Sequence, residues 1–173
     1  MRSLHNTLFP EWQSRIAIAE QSAALFSQFD NDAIRHGNQI HEILSLVRDS
    51  RDLDNALSNY TLQHRLDPST ADSLRLTLHN MMQQPQVAQF FQPGLPARNE
   101  CNIAWHNSVI RPDRIVYAPH SVWVIDFKTG QPLPAHRSQV LHYCDALRAM
   151  GHSSVQGFLL YISPLSSQVI PCQ

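Results

Sequence analysis

Two runs rich in β-branched and aromatic side chains, Arg114-Ile115-Val116-Tyr117 and Val122-Trp123-Val124-Ile125-Asp126-Phe127-Lys128, are joined by Ala118-Pro119-His120-Ser121. Such runs predict strands. Pro119 is well placed to open a turn, so the two are expected to form a hairpin. Side chains alternate along a strand, which puts Val122, Val124, Asp126 and Lys128 on one face and Trp123, Ile125 and Phe127 on the other. With the turn centred between Pro119 and His120, facing residues have numbers that sum to 239, so Asp113 opposes Asp126. Directly opposed residues hold their Cβ atoms roughly 4.5–5.5 Å apart. Two carboxylates are therefore expected on one face beside Lys128.

Lys128 is the sole lysine, and the other twelve of the 13 basic residues are arginine. Ordinary solvated positive charge in this chain is thus carried by guanidinium groups. An ammonium differs in being a compact charge whose pKa responds to burial. Opposed like charges destabilise a sheet unless something neutralises them. A hard dication does so, and Mg²⁺ typically takes one or two carboxylates together with waters and substrate phosphate. The simpler alternative is a salt bridge from Lys128 to either acid, which leaves one negative charge uncompensated.

Arg111-Pro112-Asp113 followed by Asp126-Phe127-Lys128-Thr129-Gly130, with Gln139-Val140-Leu141-His142-Tyr143 downstream, resembles the PD-(D/E)xK nuclease motif in its RecB/AddA branch. Gln139 and Tyr143 are four apart and share one face of a helix; standing alone they would read as a solvated glutamine and a packed tyrosine. The branch also carries a glycine followed four residues later by a histidine at the start of a helix, matched by Gly37-Asn38-Gln39-Ile40-His41, although Gln39 stands where an apolar residue is common. Arg98 to Trp105 resembles the strand that carries a glutamate before the hairpin, here Glu100. The likeness spans about residues 30 to 165. It implies a restriction-endonuclease-like α/β core that hydrolyses DNA phosphodiesters with Mg²⁺ or Mn²⁺. Asp113, Asp126 and the Phe127 carbonyl are then expected to hold the ion, with His41 completing or adjoining its shell. Lys128 is expected to orient or help deprotonate the attacking water, Gln139 and Tyr143 to position the strand, and Glu100 to act from outside the ligand set.

Composition fits one domain over 1–173, with 43% hydrophobic and 16% charged residues. No apolar run approaches the ~20 residues of a membrane span, and the start Met1-Arg2-Ser3-Leu4 lacks a signal-peptide core, so a cytoplasmic protein without membrane partners is expected. Cys101, Cys144 and Cys172 are three and widely spaced, which indicates neither a disulfide framework nor zinc. Relatives that hold an iron–sulfur cluster use four cysteines, so none is expected here. A phosphate-binding loop of the G-x-x-x-x-G-K-[ST] type is excluded because the lysine lies elsewhere. Formal net charge is −1, which predicts modest intrinsic affinity for DNA. Arg111, Arg114, Lys128, Arg137 and Arg148 are expected near the site. In the RecB/AddA branch the nuclease is commonly the C-terminal part of a UvrD-type helicase polypeptide that acts on broken DNA ends, so the resemblance implies such a partner module, in repair or recombination, with exonuclease action.

Residues 1–91 read as helical and 99–173 as a sheet with a crossover helix, divided at Gln92-Pro93-Gly94-Leu95-Pro96. Ala33, Ile34, Gly37, Ile40, Leu44 and Val47 form an apolar stripe at helical spacing. Arg48 to Asp52 reads as a solvated charged loop. A helix over Leu53–Tyr60 and another opened by Asp67-Pro68-Ser69-Thr70, with Ser69 or Thr70 as cap, are expected. Strands are expected near 99–106, 109–117, 121–128, 155–162 and 167–171, with a helix near 135–150 ending at Gly151. Together these predict a mixed sheet flanked by helices. Two other functions remain open at this point: a catalytically inactive DNA-binding or assembly domain that keeps the nuclease fold, and a metal-dependent phosphatase.

Overall fold

Alternation along the central strand determines how the layers assemble. In the computed structural model β5 (Ser121–Lys128) lies between β4 (Arg114–Ala118), antiparallel, and β6 (Val155–Tyr161), parallel. With β1 (Ala97–Asn99) beyond β4 and β7 (Gln168–Cys172) beyond β6, the mixed sheet runs β1-β4-β5-β6-β7. Arg114 faces Ile125 and Ala118 faces Ser121, the register expected from the turn. Ile125 and Phe127 pack with Val116, Leu160 and Ile162 on one side, together with residues of the helical half. Val122 and Val124 pack with Ile115, Leu159 and Tyr161 on the other, under α5 (Pro134–Ala149). The described residues are 32–173, and backbone proximity sets Gly37–Gln173 apart as one unit. The helices expected in the first 31 residues lie outside the described ones.

Residues 32–45 are helical (α1). They are followed by a 3-10 turn at Ser50–Asp52, then α2 (Leu53–His64), α3 (Pro68–Gln83), α4 (Pro85–Ala88) and a second 3-10 turn, Gln89–Phe91. The apolar stripe of α1 is shifted from the one expected. Ala33 and Ile34 are exposed, whereas Ile40, Ile43, Leu44 and Val47 are buried. The charged stretch is more ordered than a loop: Asp49 caps the turn by accepting from the Arg51 N–H, and Arg48 pairs with Asp52 at 2.9 Å. α2 runs four residues beyond Tyr60 and stops where Arg65 turns left-handed. α3 is capped by Asp67, not by Ser69 or Thr70, because Pro68 already occupies the first helical position. The Asp67 carboxylate accepts from the Thr70 N–H at 3.0 Å and from both hydroxyls.

The strands expected near 99–106 and 109–117 are each broken in two. Glu100 adopts φ 49, a left-handed conformation that ends β1. Arg111-Pro112-Asp113 interrupts the second, where Pro112 has no N–H to donate to a ladder. Between the breaks, β2 (Ile103–Trp105) and β3 (Ser108–Ile110) form a separate two-stranded ribbon. α5 and Gly151 fall where expected. Among the described residues no helix is long and apolar enough to cross a membrane.

Arg114, expected to face the site, is instead 1% exposed. It donates to the carbonyls of Phe90 (3.0 Å), Val47 (2.9 Å) and Arg48 (2.7 Å) and to Asn99 Oδ1 (2.8 Å), and its guanidinium sits 4.3 Å from the Phe91 ring centroid. Burial lowers its pKa to about 10, partly offset by Asp49, so it stays charged at neutral pH. Asn99 Nδ2 in turn donates to the carbonyls of Leu44, Ser45 and Val47 at the end of α1. Helix ends leave such carbonyls without partners, and here two sheet residues satisfy them. Replacing Arg114 with leucine strands the Phe90 and Arg48 carbonyls and Asn99 Oδ1, while the Val47 carbonyl keeps Asn99 Nδ2. The expected loss in urea unfolding is about 3–5 kcal/mol, since each orphaned buried group costs about 1–3 kcal/mol; a loss below about 1 kcal/mol would show that the cluster is dispensable.

Candidate metal centre

The fold brings α1, the end of β1 and the start of β4 to one open cleft of about 460 Å³ lined by Asn38, His41, Glu42, Ser45, Glu100, Arg111 and Asp113. α1 is held at both ends. The Leu44 and Ser45 carbonyls at its C-terminus are tied to Asn99 and those of Val47 and Arg48 just beyond to Arg114, and Asn99 and Arg114 each lie one residue from a candidate acid. Near the start of α1, a Cβ on Gly37 would lie 2.5 Å from Thr129 Oγ1, so glycine lets the helix pass close to the end of β5 without displacing that hydroxyl. That approach gives the Gly37 to His41 spacing a physical reason. One turn beyond Gly37, His41 reaches Asp113, with Nδ1 and Oδ1 3.5 Å apart.

Asp113 lies one residue before β4, where the register carried onward sets it opposite Asp126. Its Oδ2 accepts from the Phe127 N–H at 2.6 Å, which fixes the carboxylate at the end of the hairpin. The Lys128 carbonyl accepts from the Ile162 N–H at 2.7 Å on the β6 side. Carbonyls alternate along a strand, so the Phe127 carbonyl points to the opposite side, toward Asp113 and past the end of the β4 ladder. The Phe127 ring faces the other way into the core and meets His41 edge-on at 5.9 Å.

Ligand atoms of His41, Glu100 and Asp113 all lie within 4.8 Å of one another. Glu100, expected outside the ligand set, is therefore within it in space. Its backbone is pinned by its N–H donating to the Asp113 carbonyl at 3.0 Å, and its carboxylate pairs with Arg111 at 2.9 Å. A left-handed glutamate is strained relative to glycine, and strain of this kind concentrates at functional sites. Burial raises the Glu100 pKa, reinforced by the charge on Asp113 and offset by Arg111 and His41. Burial lowers that of His41, but the hydrogen bond and charge of Asp113 outweigh it and the net shift is upward.

Asp126 is 2% exposed and is not one of that trio. Its Oδ2 lies 2.5 Å from Lys128 Nζ, so the salt bridge weighed from sequence is present. Apart from that ammonium, this buried oxygen has no hydrogen-bond partner. Burial first, and the charge of Asp113 second, raise its pKa to about 6 despite Lys128. Lys128 also donates to Gln139 Oε1 at 3.2 Å, and Gln139 Nε2 donates to the Tyr143 hydroxyl at 2.7 Å. The helical pair expected to share a face thus acts as a tether for the lysine.

A divalent ion fits this donor set. Hard carboxylate oxygens from Glu100 and Asp113 converge with one imidazole, His41, at metal-ligand range of one another. Glu42, beside His41 and accepting from the Tyr60 hydroxyl at 2.7 Å, also lines the cleft. Sequence reasoning passed over it, although its place next to His41 was the available signal. The arginines expected nearby divide: Arg111 is at the cleft, Arg114 is buried, Arg137 donates to the Gln173 carbonyl, and Arg148 serves Asp145 and the Val155 carbonyl.

No family model matches the chain, and no curated protein matches it. A solved structure described as the crystal structure of SSO0001 is similar over 78% of this chain at 21% identity and a TM-score of 0.33, and the match spans 66% of that chain. A likeness of that depth bears on neither fold nor function.

Proposed function

We propose that the chain is a metal-dependent DNA nuclease with a PD-(D/E)xK, restriction-endonuclease-like core, hydrolysing phosphodiester bonds. The observation that carries this reading is the convergence of His41, Glu100 and Asp113 at the end of a hairpin whose next strand sets the buried Asp126 against the sole lysine. Asp113, Glu100, His41, the Phe127 carbonyl and the Asp126 carboxylate beside Lys128 are the groups that would hold Mg²⁺ or Mn²⁺. Bound there, the ion supplies Lewis acidity toward a phosphoryl oxygen and a water of lowered pKa.

The protein groups do the rest. Lys128, held between Asp126 and Gln139, orients the attacking water and offsets charge developing on the phosphorus oxygens. Gln139 and Tyr143 keep the ammonium in place and present polar atoms to the DNA strand. Arg111 balances Glu100 at the rim. A formal net charge of −1 leaves little general attraction to DNA, which favours a partner module holding the substrate, a UvrD-type helicase as in the RecB/AddA branch, with exonuclease action during repair or recombination.

Incubating the protein with end-labelled linear DNA and Mn²⁺ tests the assignment. Cutting is expected, abolished by chelator and reduced at least about 10²-fold in Asp113→Asn, a variant whose side-chain oxygen still accepts from Phe127. DNA binding without any cutting by the wild-type chain would replace this reading with that of an inactive DNA-binding domain.

A further inference from the structure

The β2–β3 ribbon has no ladder to the main sheet, yet it springs directly from the cleft. Glu100 and Arg111, joined at 2.9 Å, stand at its base. Its buried anchor is Ile103, 6% exposed and packed with the α5 side of the core. Trp105, at the far end of β2, packs against the same core with part of its ring and leaves the rest exposed. Its ring is walled by two exposed imidazoles. His106 lies 4.2 Å away between centroids, and His142 meets it edge-on at 6.3 Å. His142 sits on α5 three residues after Gln139, about one helical turn from the side chain that tethers Lys128. Residues 101–109 contain no aspartate or glutamate, so nothing there repels a phosphate chain.

A partly exposed indole flanked by neutral or positive rings has the chemistry of a base-stacking platform. Aromatic faces stack on any base, and an unpaired base is the form that presents its own face. The ribbon rises about 3.3 Å per residue, so Trp105 stands roughly 10 Å from the Glu100–Arg111 pair, the length of about three stacked nucleotides. Resting on the nuclease reading, we infer that Trp105, with His106 and His142, stacks an unpaired base a few nucleotides from the cleft, and that the substrate enters as single-stranded DNA.

Three tryptophans occur, at 12, 105 and 123, so Trp12→Phe combined with Trp123→Phe leaves Trp105 as a reporter in an otherwise full chain. In chelator, so that nothing is cut, a twelve-residue oligo-dT is expected to quench its emission. Affinity for the single strand should exceed that for a duplex of equal length, at the same salt, by about tenfold or more. Trp105→Ala should lose about tenfold in oligo-dT affinity, as removal of one stacking side chain does, with Trp105→Phe retaining most of it. Oligo-dT that binds without altering the emission, a duplex bound equally well, or a Trp105→Ala chain with wild-type affinity would each overturn the platform. The quenching readout does not depend on how well Trp105→Ala folds. Cutting in Mn²⁺ is scored separately: cutting without quenching removes the platform and keeps the nuclease, and quenching without cutting does the reverse.

Discussion

Lys128→Ala is expected to lower Mn²⁺-dependent cutting by at least about 10²–10³-fold, the scale of losing one preorganised charge-stabilising donor, while leaving DNA affinity within a few-fold. The ammonium is tethered on two sides, 2.5 Å from Asp126 and 3.2 Å from Gln139, and its side chain is only 19% exposed. A group held this way serves a local task and adds little to general attraction for DNA. Its effects on metal binding oppose one another. Removing it withdraws a charge that repels a cation, but also one that keeps Asp126 ionised. Metal affinity is therefore expected to change much less than the cutting rate. Lys128→Arg should not restore activity, because a planar fork with its own fixed geometry cannot occupy the place of a compact ammonium between Asp126 and Gln139. Single-turnover cutting of labelled linear DNA, alongside calorimetric Mn²⁺ titration, separates the two quantities. Cutting within tenfold of wild type in Lys128→Ala would rule out a catalytic part for this residue.

The frame of the cleft is local, and local patterns are readable. Strand β5 ends at Lys128 because the β-branched and aromatic run ends there, and the β4–β5 register follows from a four-residue connection centred on Pro119 and His120. The spacing of Gly37 and His41 was visible as a motif, but its reason, the approach to Thr129, needed the packed helix. What could not be read has no periodicity. Arg114 looks in sequence like any other cationic residue near an active site; its burial depends on carbonyls contributed by residues 47, 48 and 90, far away in the chain. Glu100 turning left-handed, and so entering the metal-ligand range of His41 and Asp113, is likewise a tertiary event, since its N–H is fixed by the Asp113 carbonyl. The sequence reading made Asp126 a primary ligand and Glu100 an outer one. In the fold, Glu100 is gathered with His41 and Asp113, whereas Asp126 leans on Lys128.

That placement of Asp126 sets function against stability, and Asp126→Asn should expose the conflict. Folding raises its carboxyl from an ordinary 3.8 to about 6, chiefly by burial. Between those two values the folded chain holds a proton that the unfolded chain has released, so stability falls as pH rises through this window and stays reduced above it. A shift of one pKa unit corresponds to about 1.4 kcal/mol, which puts the full penalty at about 3 kcal/mol above pH 6. Asparagine carries no charge to desolvate. Without metal at pH 7 the variant is expected to melt about 6–12 °C above wild type, given about 2–4 °C per kcal/mol for a chain of this size. Below about pH 4, where the wild-type acid is neutral in both states, the advantage should vanish. Millimolar Mn²⁺ reverses the comparison, because a ligand that binds only the folded state stabilises it in proportion to its affinity, and the variant lacks the buried carboxylate that draws the ion. Thermal melts of both proteins at pH 4 and pH 7, with Mn²⁺ and with chelator, provide the readout. If Asp126→Asn melts below wild type in chelator at pH 7, or gains as much as wild type from Mn²⁺, then Asp126 belongs to a structural ion pair with Lys128 and not to a metal centre.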